Sequence, residues 1–273
     1  MQKLINRGLI TLNGSIAKSG LKLNKGDKLT VTLLPPTPTT LTPEDIAVPI
    51  LYEDEDVLVV DKPAGLTVHP APGHASGTLV NALLSHLIAF PGSPGERPGI
   101  VHRLDKDTSG VMVIAKNGLA HANLTEQFKN RAVSKTYLVL VKGKVTPAEA
   151  AIEAPIGRDS AHREKMAIVA ESRGREARTT YRVKEYLGDY TLLEVKPETG
   201  RTHQIRVHLA AIGYPVAGDR VYGVKTPFIH RQFVHAHKLS FNLPSTGKRV
   251  EFTAELSEDL VEGLEKLRVA TKS

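Results

Sequence analysis

Asp105 lies in the run HRLDKDTSG, residues 102–110, two positions after Arg103 and just ahead of a Thr-Ser-Gly turn. A second run, GRTHQIRVHL at 200–209, brings another arginine, Arg201, and two histidines, His203 and His208. An aspartate is ordinarily ionised at neutral pH, which gives Asp105 the character of a nucleophile or a base. A guanidinium beside it, from Arg103 or Arg201, would keep it charged and aimed through a charge-assisted hydrogen bond. A local reading competes with the chemical one. Asp commonly closes a turn by accepting from residues just after it, and Thr108 and Ser109 follow at that distance. The residues by themselves leave both readings open.

Composition argues against other chemistries. With no cysteine in the chain, there is no thiol nucleophile, no disulfide and no Cys-ligated zinc. Of the histidines, His203 and His208 stand five apart rather than the four that puts two imidazoles on one helical face, and His235 and His237 alternate along a strand-like run. Neither pair has a carboxylate at ligand spacing, so no metal is expected. The glycines fall in isolated turns rather than in a phosphate-binding loop, so no cofactor is expected either. No apolar run approaches the roughly 20 residues that cross a bilayer, and the N-terminus MQKLINRGL lacks the apolar centre of a signal peptide. A cytoplasmic protein without a membrane partner is expected.

The elements that must carry Asp105 read as an α+β fold. VLVVDK (57–62), GVMVIAK (110–116), KTYLVLVKG (135–143), ARTTYRVKEYL (177–187), YTLLEVK (190–196) and VHAHKLSF (234–241) are β-branched or aromatic runs between Gly, Pro and Asp turns. Two stretches read as helices: residues 78–90, with Leu79, Leu83 and Leu87 four apart, and SEDLVEGLEKLR near the C-terminus, capped by Ser257. Strands in series predict a mostly antiparallel, mixed central sheet flanked by helices and loops.

Charge marks the same divisions. Residues 1–34 carry Lys3, Arg7, Lys18, Lys22, Lys25 and Lys28 against Asp27, a balance of +5, whereas residues 35–61 hold seven acids and no base. The remainder is +9 within a whole chain of +7. Two basic blocks facing a polyanion, with a spacer that does not, fit this map. Within 1–34, a strand LITL, an Asn13-Gly14 turn and a strand KLTVTLL form a very small module. Residues 35–49, opening on PPTPTTLTPED, are rich in Pro and Thr and read as a linker. Residues 50–273 then form the main domain, which carries Asp105.

These motifs resemble those of the RluA-type RNA pseudouridine synthases, which isomerise uridine in structured RNA. VDKPAGLTVHPAPGHASGTLVNAL (60–83), HRLDKDTSG, KTYLVLVKG and TGRTHQIRVHLAAIG carry the resemblance over roughly residues 50–270. It implies a catalytic Asp105, a Tyr137 against the target base, and Arg201 as the ion-pair partner of Asp105. It further implies Ile205 as an apolar surface beneath the base and Lys62 shaping the wall of the site, and it sets Arg103, His102, Ile205 and Lys62 among the substrate-binding residues. Extruding a nucleotide costs a few kcal/mol of stacking, and the planar guanidinium of Arg103 suits the vacated space. APIGRD and REKMAIV are most similar to the RluD-like branch, which implies large-subunit ribosomal RNA as the partner. The N-terminal module resembles part of the S-four-like RNA-binding domain. The resemblance thus implies a cofactor-free isomerase, expected to be a monomer without an obligate protein partner. The alternatives are a transfer-RNA-directed synthase, a non-catalytic RNA-binding or ribosome-assembly protein with the same fold, and a metal-dependent hydrolase using the histidines.

Overall fold

The structure is a computed structural model that describes residues 5, 8–32, 41–70, 76–87, 98–162 and 165–272. The chain divides into two compact units, 1–39 and 40–273. In the first, β1 (Ile10–Leu12) pairs antiparallel with both β2 (Ser15–Ile16) and β3 (Leu29–Val31). Asn13 and Gly14 both adopt positive φ, 49° and 85°, as the two-residue turn between β1 and β2 requires. The Asn13 side chain ties the turn to Asp27 and to the Lys28 amide at 2.8 and 2.9 Å. The helical turn expected before Gly8 falls mostly outside the described residues.

The second unit is built on one nine-stranded sheet. Its strands are β4 (Ile50–Glu53), β5 (Val57–Lys62), β6 (Ser109–Ala115), β7 (Ser134–Lys142), β8 (Glu149–Glu153), β11 (Arg178–Leu187), β12 (Tyr190–Pro197), β13 (Val234–Asn242) and β14 (Arg249–Thr253), while β9 (Ile156–Arg158) and β10 (Met166–Ile168) form a separate hairpin. The spatial order is β4-β5-β6-β13-β7-β12-β11-β8, with β14 on β13. Every pairing is antiparallel except β6 with β13, at the centre. There the backbones converge at Gly110, whose φ is +116° and whose added Cβ would overlap the Ala236 backbone, so only glycine fits. The mostly antiparallel, mixed sheet agrees with the α+β expectation. The short strands β4, β8, β9, β10 and β14 carry too few apolar residues to stand out in the sequence.

Helices cover the sheet. α1 (Leu79–Leu83) begins at Thr78, which forms a capping box with Asn81, and continues only as a 3-10 turn to His86. It is shorter than the expected 78–90, of which 88–90 lie outside the described residues. α2 (Gly118–Lys129) starts where Asn117 accepts from the Ala120 amide, and α3 (Gln204–Ala211) begins inside the second motif. α4 (Glu258–Lys272) sets Leu260, Leu264 and Leu267 against Leu140, Leu192, Ile229 and Phe233, an apolar stripe at helical spacing. Residues 41–49 were expected as linker but run along the second unit. Asn81 Nδ2 donates to the Thr42 carbonyl, the Gly77 amide donates to Glu44, and the Asp61 amide donates to the Pro49 carbonyl. Backbone partners override the Pro-rich composition there. Among the described residues no helix is long and apolar enough to cross a membrane.

Candidate active site

Asp105 sits in the loop that leads into the central strand β6. Its carbonyl accepts from the Thr108 amide at 3.1 Å, so the turn is closed by backbone and leaves the carboxylate spare. The Thr108 hydroxyl is engaged by Gln232 Nε2 at 2.8 Å and that of Ser109 by Arg231 Nη2 and His235. The capping role open at the sequence level is therefore not the one Asp105 plays.

The loop is anchored from several sides. Lys62 is fully buried, 0% exposed, and its ammonium reaches the carbonyls of Pro63, Leu66 and Lys106 at 2.8, 2.9 and 3.1 Å. The Gly65 amide also donates to the Lys106 carbonyl, and Arg231 Nη1 to that of Asp107, both at 2.9 Å. Burial pushes the Lys62 amine down to about 7, with Arg231 adding to the effect. This corrects one expectation. Lys62 cannot touch a substrate, because all its donors are spent on backbone beneath the site.

The carboxylate of Asp105 meets Arg206, whose Nη1 donates to Oδ2 at 2.8 Å. The remaining face of the same guanidinium is held by Asp219, with Nε to Oδ2 at 2.7 Å and Nη2 to Oδ1 at 2.9 Å. The Asp219 side chain is 0% exposed and also accepts from the amides of Val221 and Tyr222. Burial opposes both charges, but these hydrogen bonds and the neighbouring opposite charges prevail. They hold the Arg206 guanidinium above its ordinary range and the Asp219 carboxyl below its own. A planar fork fixed on one side by a bidentate carboxylate holds its Nη1 in one orientation.

Arg201 is thus not the partner of Asp105. It precedes α3, where its amide donates to Gln204 Oε1 and its Nε to the Glu176 carbonyl at 3.0 Å. The reason is local: Gln204 accepts from Thr199 and Arg201 and donates to the Arg178 carbonyl, which closes the helix entry and leaves Arg201 outside it. Arg206, one turn in, is the arginine that reaches the loop. Spacing within RTHQIR does not say which arginine turns inward.

These groups open onto a pocket of about 610 Å³, within the range of small-ligand sites. Asp105, Arg103, His102, Tyr137, Arg201 and Ile205 all line it, so six of the seven expected residues come together. Tyr137 projects from β7, and burial, reinforced by the Asp105 charge, raises its phenol well above the ordinary value, so it remains a protonated donor. Ile205 is 7% exposed and offers the apolar floor. His102 is more structural than expected. Its Nε2 accepts from the Val113 amide at 3.1 Å and its ring stacks on Phe128 at 4.7 Å, and burial drives it down to about 3, so it is neutral. Arg103 is exposed and Lys129, Arg131 and Lys135 join it and Arg201 around the opening. Burial, with Arg201 adding to it, lowers Lys135 to about 8. The rim is built for an anionic ligand.

Sequence reasoning missed Arg206, Asp219, His203 and Tyr222. The signal available for the first two was the second arginine in the motif and the acid of AGDRVYG, a Gly-Asp turn. Among the described residues no group of three or more His, Asp or Glu side chains is placed to hold a metal.

A solved structure of human RNA pseudouridylate synthase domain containing 4 superposes with a TM-score of 0.64 at 25% identity, covering 81% of this chain and 93% of that one. Human RNA pseudouridylate synthase domain containing 1 gives 0.61 at 28% identity, covering 86% and 98%. The fold is thus that of the pseudouridine synthases. In sequence, the chain is 46% identical to the uncharacterized RNA pseudouridine synthase YlyB of Bacillus subtilis over 98% of this chain and 88% of that protein. It is 42% identical to the ribosomal large subunit pseudouridine synthase D of Zymomonas mobilis over 95% and 86%. Residues 56–211 match the RNA pseudouridylate synthase family. The chain belongs to that family, in its RluA-type branch, and is an RNA-modifying isomerase.

Proposed function

We propose that Asp105 is the catalytic carboxylate that isomerises specific uridines of large-subunit ribosomal RNA. The observation that carries this reading is the Arg206 Nη1 donor held on Asp105 by a buried Asp219, inside a pocket ringed by cations. Such preorganisation holds a carboxylate where charge and bonds change, which is the main device available to an enzyme without a cofactor. Extruding the target nucleotide brings its base onto Ile205 and beside Tyr137. The exposed guanidinium of Arg103 then stacks into the gap left in the RNA. The N1–C1′ bond breaks with the help of Asp105, the uracil turns within the pocket, and carbon-5 bonds to C1′ and gives up its hydrogen as a proton while N1 gains one, so the isomerisation balances with no external reactant. The ribosomal substrate is supported by the similarity to the large-subunit synthases of Zymomonas mobilis and Pseudomonas aeruginosa, at 42% and 43% identity. The test is to map pseudouridines in total RNA from cells with and without the gene, complemented by wild type or by Asp105→Asn. Large-subunit sites should vanish on deletion and return with wild type alone. Sites that return with Asp105→Asn would refute the catalytic assignment, and sites lost only from transfer RNA would refute the ribosomal one.

A further inference from the structure

His203 occupies a position that none of the preceding steps uses. Its backbone is left-handed, φ +56°, at the residue just before α3, a conformation that costs a non-glycine residue energy and persists only where the surroundings impose it. The Tyr222 hydroxyl lies 3.0 Å from His203 Nδ1, and its oxygen accepts the Met166 amide at 2.7 Å. The phenol has one proton, and His203 is its acceptor among the described residues, so Nδ1 accepts and the imidazole proton resides on Nε2. Burial lowers the His203 pKa, although Asp105 pulls the other way, which keeps the ring in this neutral form. Tyr222 is in turn held against the Arg206 guanidinium, 5.1 Å from the ring centroid. The result is a fixed N–H donor pointing into the pocket.

That donor stands 4.0 Å from Asp105 Oδ1, too far for a direct hydrogen bond. An oxygen about 2.8 Å from both atoms would see them at roughly 90°, close to the angle between a hydroxyl's acceptor and donor directions. Such an atom must accept from Nε2–H and donate to the carboxylate. Within a uridine nucleotide of an RNA chain, the uracil carbonyls and the phosphate oxygens only accept and uracil N3–H only donates. The 3′ and 5′ oxygens are esterified, which leaves the 2′-hydroxyl as the one group that does both. We propose that His203 Nε2 and Asp105 Oδ1 together form the slot for the 2′-hydroxyl of the target ribose, with Tyr222 setting the imidazole tautomer that donates. The proposal rests on the synthase reading above and extends it to how the ribose is recognised. It also places the neighbouring anomeric carbon within reach of the same carboxylate, since C1′ and C2′ are bonded.

The experiment uses the full-length protein and a synthetic RNA hairpin that carries the mapped uridine, made with either a 2′-hydroxyl or a 2′-hydrogen at that one nucleotide. Dissociation constants are measured for wild type, His203→Leu and Tyr222→Phe. His203→Leu should weaken the hydroxyl hairpin about tenfold and the deoxy hairpin less than twofold. Tyr222→Phe leaves the backbone and imidazole in place but frees the tautomer, and should give a smaller loss confined to the hydroxyl hairpin. Equal weakening of both hairpins by both variants overturns the slot, because a merely structural histidine does not distinguish them. Pseudouridine formation by wild type on the hydroxyl hairpin is scored separately, so failure of the slot leaves the synthase reading standing. Absence of product there would overturn that reading and the slot with it.

Discussion

Coupling between Asp105 and Arg206 can be measured through stability, independently of turnover. Arg206→Met removes three charge-assisted hydrogen bonds, two to Asp219 and one to Asp105, and strands a carboxylate whose side chain is 0% exposed. Breaking a buried pair in this way costs about 3–5 kcal/mol. Asp105→Asn removes only the partly exposed end of the chain of charges. A hydrogen bond to a charged group contributes about 1.5–3 kcal/mol, so the Asp105→Asn/Arg206→Met double variant should be less destabilised than the sum of the singles by about 1–3 kcal/mol. In a unit of this size 1 kcal/mol moves the melting temperature by about 2–4 °C, which puts the departure from additivity at roughly 2–12 °C. Thermal melts of wild type, both singles and the double read it directly. The parallel cycle of Asp105→Asn with Arg201→Ala should be additive, because Arg201 bonds the Glu176 carbonyl instead. Coupling in the Arg201 cycle and none in the Arg206 cycle would refute the assignment of the partner.

Further outcomes follow from the same geometry. His235 is buried and neutral, held by Ser109 and the Ala254 carbonyl, and burial drives it from 6.5 to about 4. Its unfolded form therefore binds a proton first. Stability present above pH 6.5 is lost as pH falls through about 4, by about 3 kcal/mol for this residue, and urea midpoints that rose between pH 6.5 and 4.5 would contradict this. Arg103→Ala should slow pseudouridine formation, recover part of the rate on a substrate whose target uridine is already unstacked, and lower the slope of log affinity against log salt by about one. Deleting residues 1–39 removes a balance of +5 and should weaken RNA binding and flatten its salt dependence, while product still forms. An unchanged slope would mean that this unit does not touch RNA.

The sheet was legible because its long strands are self-declaring. β5, β6, β7, β11, β12 and β13 each hold enough β-branched or aromatic residues to bury a face, and their observed limits fall within a residue or so of the expected ones. α4 was legible for the same reason at helical spacing. α2 and α3 were not. Gly118–Lys129 buries only Ala120 and Leu124, a stripe too narrow to signal a helix, and Gln204–Ala211 is almost wholly buried, which removes the polar face that marks an amphipathic helix. Residues 41–49 misled by composition, since proline and threonine describe a local preference that hydrogen bonds to Asp61, Gly77 and Asn81 override.

What the sequence alone determined is the family, the absence of a thiol, and a resemblance specific enough to single out Asp105, Tyr137, Arg103 and Ile205, which line one pocket. Local patterns report which face of an element is buried and where a turn falls, and a contiguous motif carries its own spacing. Only the tertiary structure decided that Arg206 rather than Arg201 meets Asp105, that Asp219 fixes that arginine, that Lys62 serves the loop rather than the ligand, and that Tyr222 orients His203. Each of these includes a hydrogen bond between groups 13 or more residues apart in the chain. Such partners are chosen by the directions in which packed elements aim their side chains, and no periodicity in the sequence records those directions.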